Sequence, residues 1–150
     1  NTPDPDQGFN APLKAVFNDI CKDKKLCSYQ NIHIVDYVPT PVDIFVKLFK
    51  IFDEQKKKKG NLVFHCTAGM GRSGSVILAY IGLEHYRKTK KNKVLTPEYF
   101  KETILQEIKE NYHYGAWEEL MGLDQTGPIY GLLKARILNA IEAIKVYLKL

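Results

Sequence analysis

Three cysteines, two methionines and one tryptophan in 150 residues leave little material for a cystine framework or a thiol-rich metal site. No C-x-x-C pair occurs among Cys21, Cys27 and Cys66, so neither a zinc knuckle nor a dithiol redox motif is indicated. The odd, sparse set fits a reducing compartment such as the cytoplasm. Long apolar runs are missing too. The longest, Val76 to Leu83, falls well short of the roughly 20 residues that cross a bilayer. The first residues, Asn1-Thr2-Pro3-Asp4-Pro5-Asp6, carry neither the basic nor the apolar region of a signal peptide. No internal repeat appears, and the length suits a single domain over residues 1–150.

Acidic residues are outnumbered, 17 against 22 lysines and arginines, which gives a net charge of +5. The excess gathers in two runs, Lys56-Lys57-Lys58-Lys59 and Lys88 through Lys93. The plainer reading of each is a solvated segment at a helix end. The other is a field that draws anionic partners, such as phosphoproteins or an anionic membrane surface. No aromatic residues interleave with the lysines to stack bases, which argues against nucleic acid.

Apolar spacing predicts a helix over 11–22 through Leu13, Val16, Phe17 and Ile20. Asn31 to Asp36 alternates and is β-rich, and Pro39 and Pro41 stop it. Thr40 then reads as an N-cap with Pro41 in the first helical position, opening a helix through Ile44, Phe45, Leu48, Ile51 and Phe52 that stops before Gly60. Leu62-Val63-Phe64 reads as a short buried strand, followed by a helix from Val76 to about Lys88. Thr96-Pro97 caps another helix with Phe100, Ile104, Leu105 and Ile108 inward. An irregular stretch from Asn111 to Pro128 leads to a last helix, from Ile129 or Tyr130, carrying Leu133, Ile137, Ile141, Ile144 and Leu148. This alternation predicts an α/β fold, a parallel-dominant central sheet flanked by helices. Such a sheet places its ligand beyond the carboxyl ends of its strands, and Asp36 and Cys66 both fall at predicted strand ends.

The chemistry concentrates in His65-Cys66-Thr67-Ala68-Gly69-Met70-Gly71-Arg72-Ser73. A thiol attacks phosphorus as its thiolate, which a helix N-terminus and a fixed cation both favour. Five residues separate Cys66 from Arg72, enough to curl the backbone of Thr67, Ala68, Gly69, Met70, Gly71 and Arg72 around one tetrahedral oxyanion with N–H groups inward. Gly69 and Gly71 allow the backbone to come close. Arg72 adds a planar fork for two oxygens, and Ser73 is placed to hydrogen-bond the thiolate. His65 reads as a residue that orders the loop rather than a base.

This run matches H-C-x5-R-S and resembles the cysteine-based protein tyrosine and dual-specificity phosphatase superfamily. The resemblance implies that fold, with no cofactor or metal, and hydrolysis through a cysteinyl-phosphate on Cys66. It also implies an acid on an upstream loop. Asp36, 30 positions before Cys66 and followed by Tyr37-Val38-Pro39-Thr40-Pro41, resembles that loop. Asp43 competes, although its place three after Thr40 gives it a structural task at the helix start. Only 35 residues precede Asp36, fewer than the superfamily usually places there, so N-terminal strands of the fold are expected to be missing. Gln125-Thr126 is either a counterpart of a water-positioning glutamine loop or an ordinary turn.

Among substrates, phosphotyrosine protein leads. Dual specificity and phosphoinositides stay open, although Thr67 to Gly71 lacks the lysine common in lipid phosphatases of the superfamily. The local run also resembles plant glucan phosphatases, without a carbohydrate-binding signature elsewhere. A module that captures phosphorylated partners with weak activity is the alternative of another class. Cys21 and Cys27 read as small buried thiols or as disulfide partners for an oxidised Cys66.

Overall fold

The computed structural model describes residues 15, 17, 19, 29–35, 37–66, 71–111 and 132–150. The chain divides into two compact units, Asn1–His33 and Ile34–Leu150. In the first, Ala15, Phe17 and Asp19 are helical, and the Phe17 and Tyr29 rings lie 5.5 Å apart. Leu13, Val16 and Ile20 of the expected helix lie outside the described residues, as do Cys21 and Cys27.

The second unit is helical: α1 (Val42–Lys57), α2 (Gly71–Thr89), a 3-10 turn (Asn92–Leu95), α3 (Pro97–Tyr99), a π-helical turn (Phe100–Ile104), α4 (Leu105–Asn111) and α5 (Leu132–Leu148). α5 packs on both α1 and α2, and α1 packs on α2. The core stripe of α1 is Phe45, Leu48, Phe49 and Phe52, spaced i, i+3, i+4, i+7 as an amphipathic helix requires. α5 turns Leu133, Ile137, Ile141 and Ile144 inward at the positions that the spacing predicts. α2 is buried around most of its circumference, through Val76, Leu78, Ala79, Ile81 and Leu83. At Gly82 the Phe100 side chain comes close to the helix backbone. A Cβ there would run into the Phe100 ring, 2.8 Å from Cε1 and 3.2 Å from Cε2.

The expected parallel sheet is not found: no strand occurs among the described residues. Residues 31–35 and 61–66 form no regular element and join no ladder, and Val35, Leu62, Val63 and Phe64 are exposed, Val63 by 86%. The reason lies in hydrogen bonding. A helix satisfies its backbone internally, whereas a strand needs neighbours, and two short apolar runs do not make a stable sheet by themselves. The 62–64 run packs by side chain instead, with the Phe64 ring 6.1 Å from that of Phe52, which also meets Tyr80 edge-on at 4.9 Å.

Helix ends test the local signals individually. Thr96 caps as its sequence implies, its hydroxyl accepting from the Tyr99 amide at 3.3 Å, and Phe100, Ile104, Leu105 and Ile108 are buried beyond it. At α1 the cap position is Pro41, not Thr40, and no side chain caps the helix. Thr40 is buried, and its carbonyl accepts from Asn139 Nδ2 of α5 at 3.0 Å. α1 closes at Lys59, whose φ of 53° is left-handed, with Gly60 N donating to Gln55 O and Lys59 N to Lys56 O.

Candidate active site

The segment 61–66 ends in a half-buried Cys66, with His65 exposed beside it. Helical structure resumes at Gly71, five residues earlier than the apolar pattern from Val76 implies. Arg72 and Ser73 therefore stand in the first turn of α2. The difference has a simple cause: apolar periodicity begins where a helix enters the core, and this helix begins at its polar end. Of the sequence-predicted site residues, Cys66, Gly71, Arg72, Ser73 and His65 are described. Thr67, Ala68, Gly69, Met70 and the candidate acid Asp36 lie outside the described residues, as do Gln125 and Thr126.

The start of α2 has an unusual electrostatic make-up. The first amides of a helix have no intrahelical partner and form its positive pole, which ordinarily attracts acidic side chains. α1 follows that preference with Asp43, but the first turn of α2 holds no acid and carries Arg72. Ser75 Oγ donates to the Gly71 carbonyl at 2.8 Å, fixing the turn from its inner side. Ser73 is buried, and its Oγ has no hydrogen-bond partner among the described residues. A buried hydroxyl left this way costs about 1–3 kcal/mol, so such groups mark strain or a place kept for a ligand. A helix start with a guanidinium and a buried hydroxyl suits an anion, and the thiol of Cys66 lies five residues before Gly71 in the sequence.

Arg136 of α5 is a residue that the sequence reading missed. It is only 4% exposed, and its Nη2 would lie 2.9 Å from a Cβ placed on Gly71. In Leu132 to Asn139 it follows Lys134 in an ordinary amphipathic pattern, and nothing local marks it as interior.

Asp43, the competitor for the acid, is exposed in the first turn of α1 and borders an open groove with Lys47, Lys50 and Val146. Asp53, which reads as surface from its neighbours, is half-buried. Its two carboxylate oxygens accept from Arg87 Nη1 and Nη2 at 2.7 and 2.5 Å, and Tyr147 donates to it at 2.6 Å. Arg87 also donates to Glu84 at 2.9 Å, and Glu84 accepts from Lys56 at 2.7 Å. The Arg87 hydrogen bonds hold the Asp53 carboxyl below its usual range against the opposing effect of burial. Burial pushes Glu84 upward, but its bonds from Lys56 and Arg87, with their charges, bring it below the usual range as well.

The two lysine runs occupy helix ends, as the plainer reading has it. Lys58 caps α1, while Lys59 and Lys90 adopt left-handed conformations just beyond α1 and α2. Further along, His85 bonds Tyr99 Oη at 3.2 Å and Glu107 at 2.5 Å, joining α2 to α3 and α4.

The protein-tyrosine phosphatase family profile matches residues 33–114, more than half of the chain and all of the 65–73 run. The human dual specificity protein phosphatase CDC14C is 44% identical over 50 residues, which are 33% of this chain and 10% of that protein. The chain thus spans about a tenth of the curated relative it matches. No solved structure matches. With Cys66, Arg72 and Ser73 falling inside the matched region in the family's order, the chain belongs to the protein-tyrosine phosphatase family of cysteine-based phosphatases.

Proposed function

We propose that this chain hydrolyses phosphate monoesters on protein, phosphotyrosine foremost, through a cysteinyl-phosphate on Cys66. The observation that carries the reading is the H-C-x5-R-S run inside the family match, with Arg72 and Ser73 in the first turn of α2.

The step balances as follows. The Cys66 thiolate attacks phosphorus, the P–O ester bond breaks, and the leaving oxygen takes a proton from Asp36. Water then attacks the phosphorus and cleaves the P–S bond, losing its proton to the Asp36 carboxylate and releasing inorganic phosphate and the thiolate. Arg72 and the amides of Thr67 to Arg72 hold the equatorial oxygens where charge spreads in the transition state. The Ser73 hydroxyl, buried with no hydrogen-bond partner among the described residues, is available to donate to the sulfur during the reaction. A reactive thiolate of this kind suits a reducing compartment. Exposed Lys57 to Lys59 and Lys88 to Lys93 supply a field toward anionic protein or membrane surfaces.

Dual specificity is the second reading, favoured by the name of the human relative and extending to phosphoserine and phosphothreonine. Hydrolysis of para-nitrophenyl phosphate by the wild type but not by Cys66→Ser tests the reaction. An active Cys66→Ser protein, or an inactive wild type, rejects it. Relative rates on phosphotyrosine and phosphoserine peptides of one sequence choose between the substrate readings. Asp36→Ala is expected to slow poor leaving groups far more than good ones, and an equal loss from Asp43→Ala would move the acid to that residue.

A further inference from the structure

α1, α2 and α5 run in the same direction. Near their starts, Asn139 of α5 donates to the Thr40 carbonyl just before α1, and Arg136 of α5 lies against Gly71 at the start of α2. Near their other ends, Tyr147 of α5 and Arg87 of α2 both donate to Asp53 of α1. Three helix C-termini therefore meet at one end of the second unit, and each is closed by a lysine at positive φ: Lys59 at 53°, Lys90 at 50° and Lys149 at 57°. That left-handed position ordinarily goes to glycine or asparagine, because a Cβ there crowds the carbonyl. Stability alone would not put a lysine there three times. Three helix C-termini together carry a partial charge of about −1.5, which about two lysines would offset. This end holds many more: the lysines of 57–59 and 88–93 with Lys149, all exposed, and none in an ion pair among the described residues. Asp53 and Glu84, the carboxylates of the shared network, are already taken by Arg87, Tyr147 and Lys56.

We propose that this basic end docks on an anionic lipid surface and directs the chain to phosphoproteins held at a membrane. The kind of cation favours lipid over a protein or a nucleic acid. Beyond the shared network every one is lysine, a compact charge on a flexible stem that suits a diffuse anionic layer better than the paired oxygens of a single site. No aromatic side chain stands within either lysine run to stack a base. Leu150, exposed beside Lys149, supplies an aliphatic group for the interfacial layer. The opposite helix ends then point away from the lipid. α2 has 19 residues, roughly 28 Å at the rise of a helix, so its first turn, with Arg72 and Ser73, stands beyond reach of a headgroup in the docked membrane. Of the substrate readings, protein is favoured over phosphoinositide. That substrate half rests on the phosphate-monoester reading of the 65–73 run, and the docking half does not.

The test sediments the full chain with vesicles of phosphatidylcholine and phosphatidylserine in equal parts, beside vesicles of phosphatidylcholine alone. Wild type should bind the mixed vesicles and not the neutral ones, with affinity falling as salt rises. A protein combining Lys59→Gly, Lys90→Gly and Lys149→Gly should bind about 100-fold more weakly, at about fivefold per lysine. Its melting temperature should hold or rise, because glycine suits the left-handed position. Lysines that serve only the helix ends would give a lower melting temperature and unchanged vesicle binding. A folded glycine protein binding mixed vesicles within twofold of wild type therefore overturns the proposal. Equal binding of wild type to both kinds of vesicle overturns it too, as does tighter binding to polyglutamate or single-stranded RNA than to mixed vesicles. Should the glycine protein fail to fold, Lys57→Gln, Lys88→Gln and Lys91→Gln together carry the same expected loss and the same overturning result. For the substrate, a phosphotyrosine peptide anchored to mixed vesicles should be hydrolysed about tenfold faster than the same peptide in solution, an advantage lost in the lysine variants. Hydrolysis of a phosphoinositide in those vesicles in preference to the peptide overturns the substrate half. Vesicle binding by a wild type that hydrolyses nothing would reject the phosphatase reading and leave the docking standing. Hydrolysis without binding to mixed vesicles would reject the docking alone.

Discussion

The two ends of α2 use charge in opposite ways. At the C-terminal end Arg87 meets Asp53 with two hydrogen bonds, Glu84 with a third and the Tyr147 ring at 5.9 Å, while Glu84 takes Lys56. Cation and carboxylate match there, and the network ties α1, α2 and α5 together. At the N-terminal end Arg72 and the Arg136 guanidinium come to the positive pole of the same helix, with no acid in the first turn and a buried serine hydroxyl without a partner among the described residues. Cation and carboxylate share one end, and the first turn at the other end holds no carboxylate. Stability and activity should therefore separate along one helix.

Arg72→Lys should show the largest separation. It retains a charge and loses the planar fork, so kcat/KM should fall about 100- to 1,000-fold while the melting temperature moves little. Steady-state kinetics beside a thermal melt check it, and a collapse of both together would merge the two ends. Midway along the helix, Gly82→Ala should cost about 2–3 kcal/mol, because the Phe100 ring it meets is itself fully buried and has nowhere to go. Urea unfolding reads this directly.

Asp53→Asn should destabilise by about 1–3 kcal/mol and leave kcat/KM near wild type. Its pH signature follows from the lowered carboxyls of Asp53 and Glu84. A carboxyl lowered in the folded state stabilises fully above its unfolded value near 4 and loses that contribution as pH falls through the lowered folded value. Wild-type melting temperature should therefore drop more steeply below about pH 4 than that of Asp53→Asn. Parallel curves for the two proteins would remove Asp53 from the account.

The smallest expected effect belongs to Ser73→Ala. Its rate should fall by about tenfold, in line with loss of one hydrogen bond to a charged group, while stability holds or rises slightly because a buried unsatisfied hydroxyl is gone. A clear loss of stability would mean that the hydroxyl has a structural partner.

These contrasts also explain what was legible in the sequence. The 65–73 run was readable because its chemistry fixes residue types at short spacing along one stretch of chain. The cap at Thr96 was readable for the same reason, since its partner is Tyr99. Thr40 misleads because its local pattern is overridden by α5, whose Asn139 takes its carbonyl from far along the chain. Long-range pairing likewise hides Asp53 with Arg87, and Arg136 against Gly71, since neither member carries a local mark of its partner. The expected parallel sheet fails through the same gap. Apolar runs at 31–36 and 62–64 have the composition of strands, but composition supplies no neighbour, and among the described residues the backbone there joins none.

The central claim is that the N-terminal end of α2 holds a phosphate for attack by Cys66. It is tested most directly by acid-quenching the protein within milliseconds of mixing with a phosphotyrosine peptide and mapping the adduct by mass spectrometry. One phosphoryl group on Cys66 in the wild type, enriched in Asp36→Ala where breakdown is slow and absent in Cys66→Ser, is the predicted result. Turnover with no phosphoryl group on Cys66, or with one on another residue, would contradict the account.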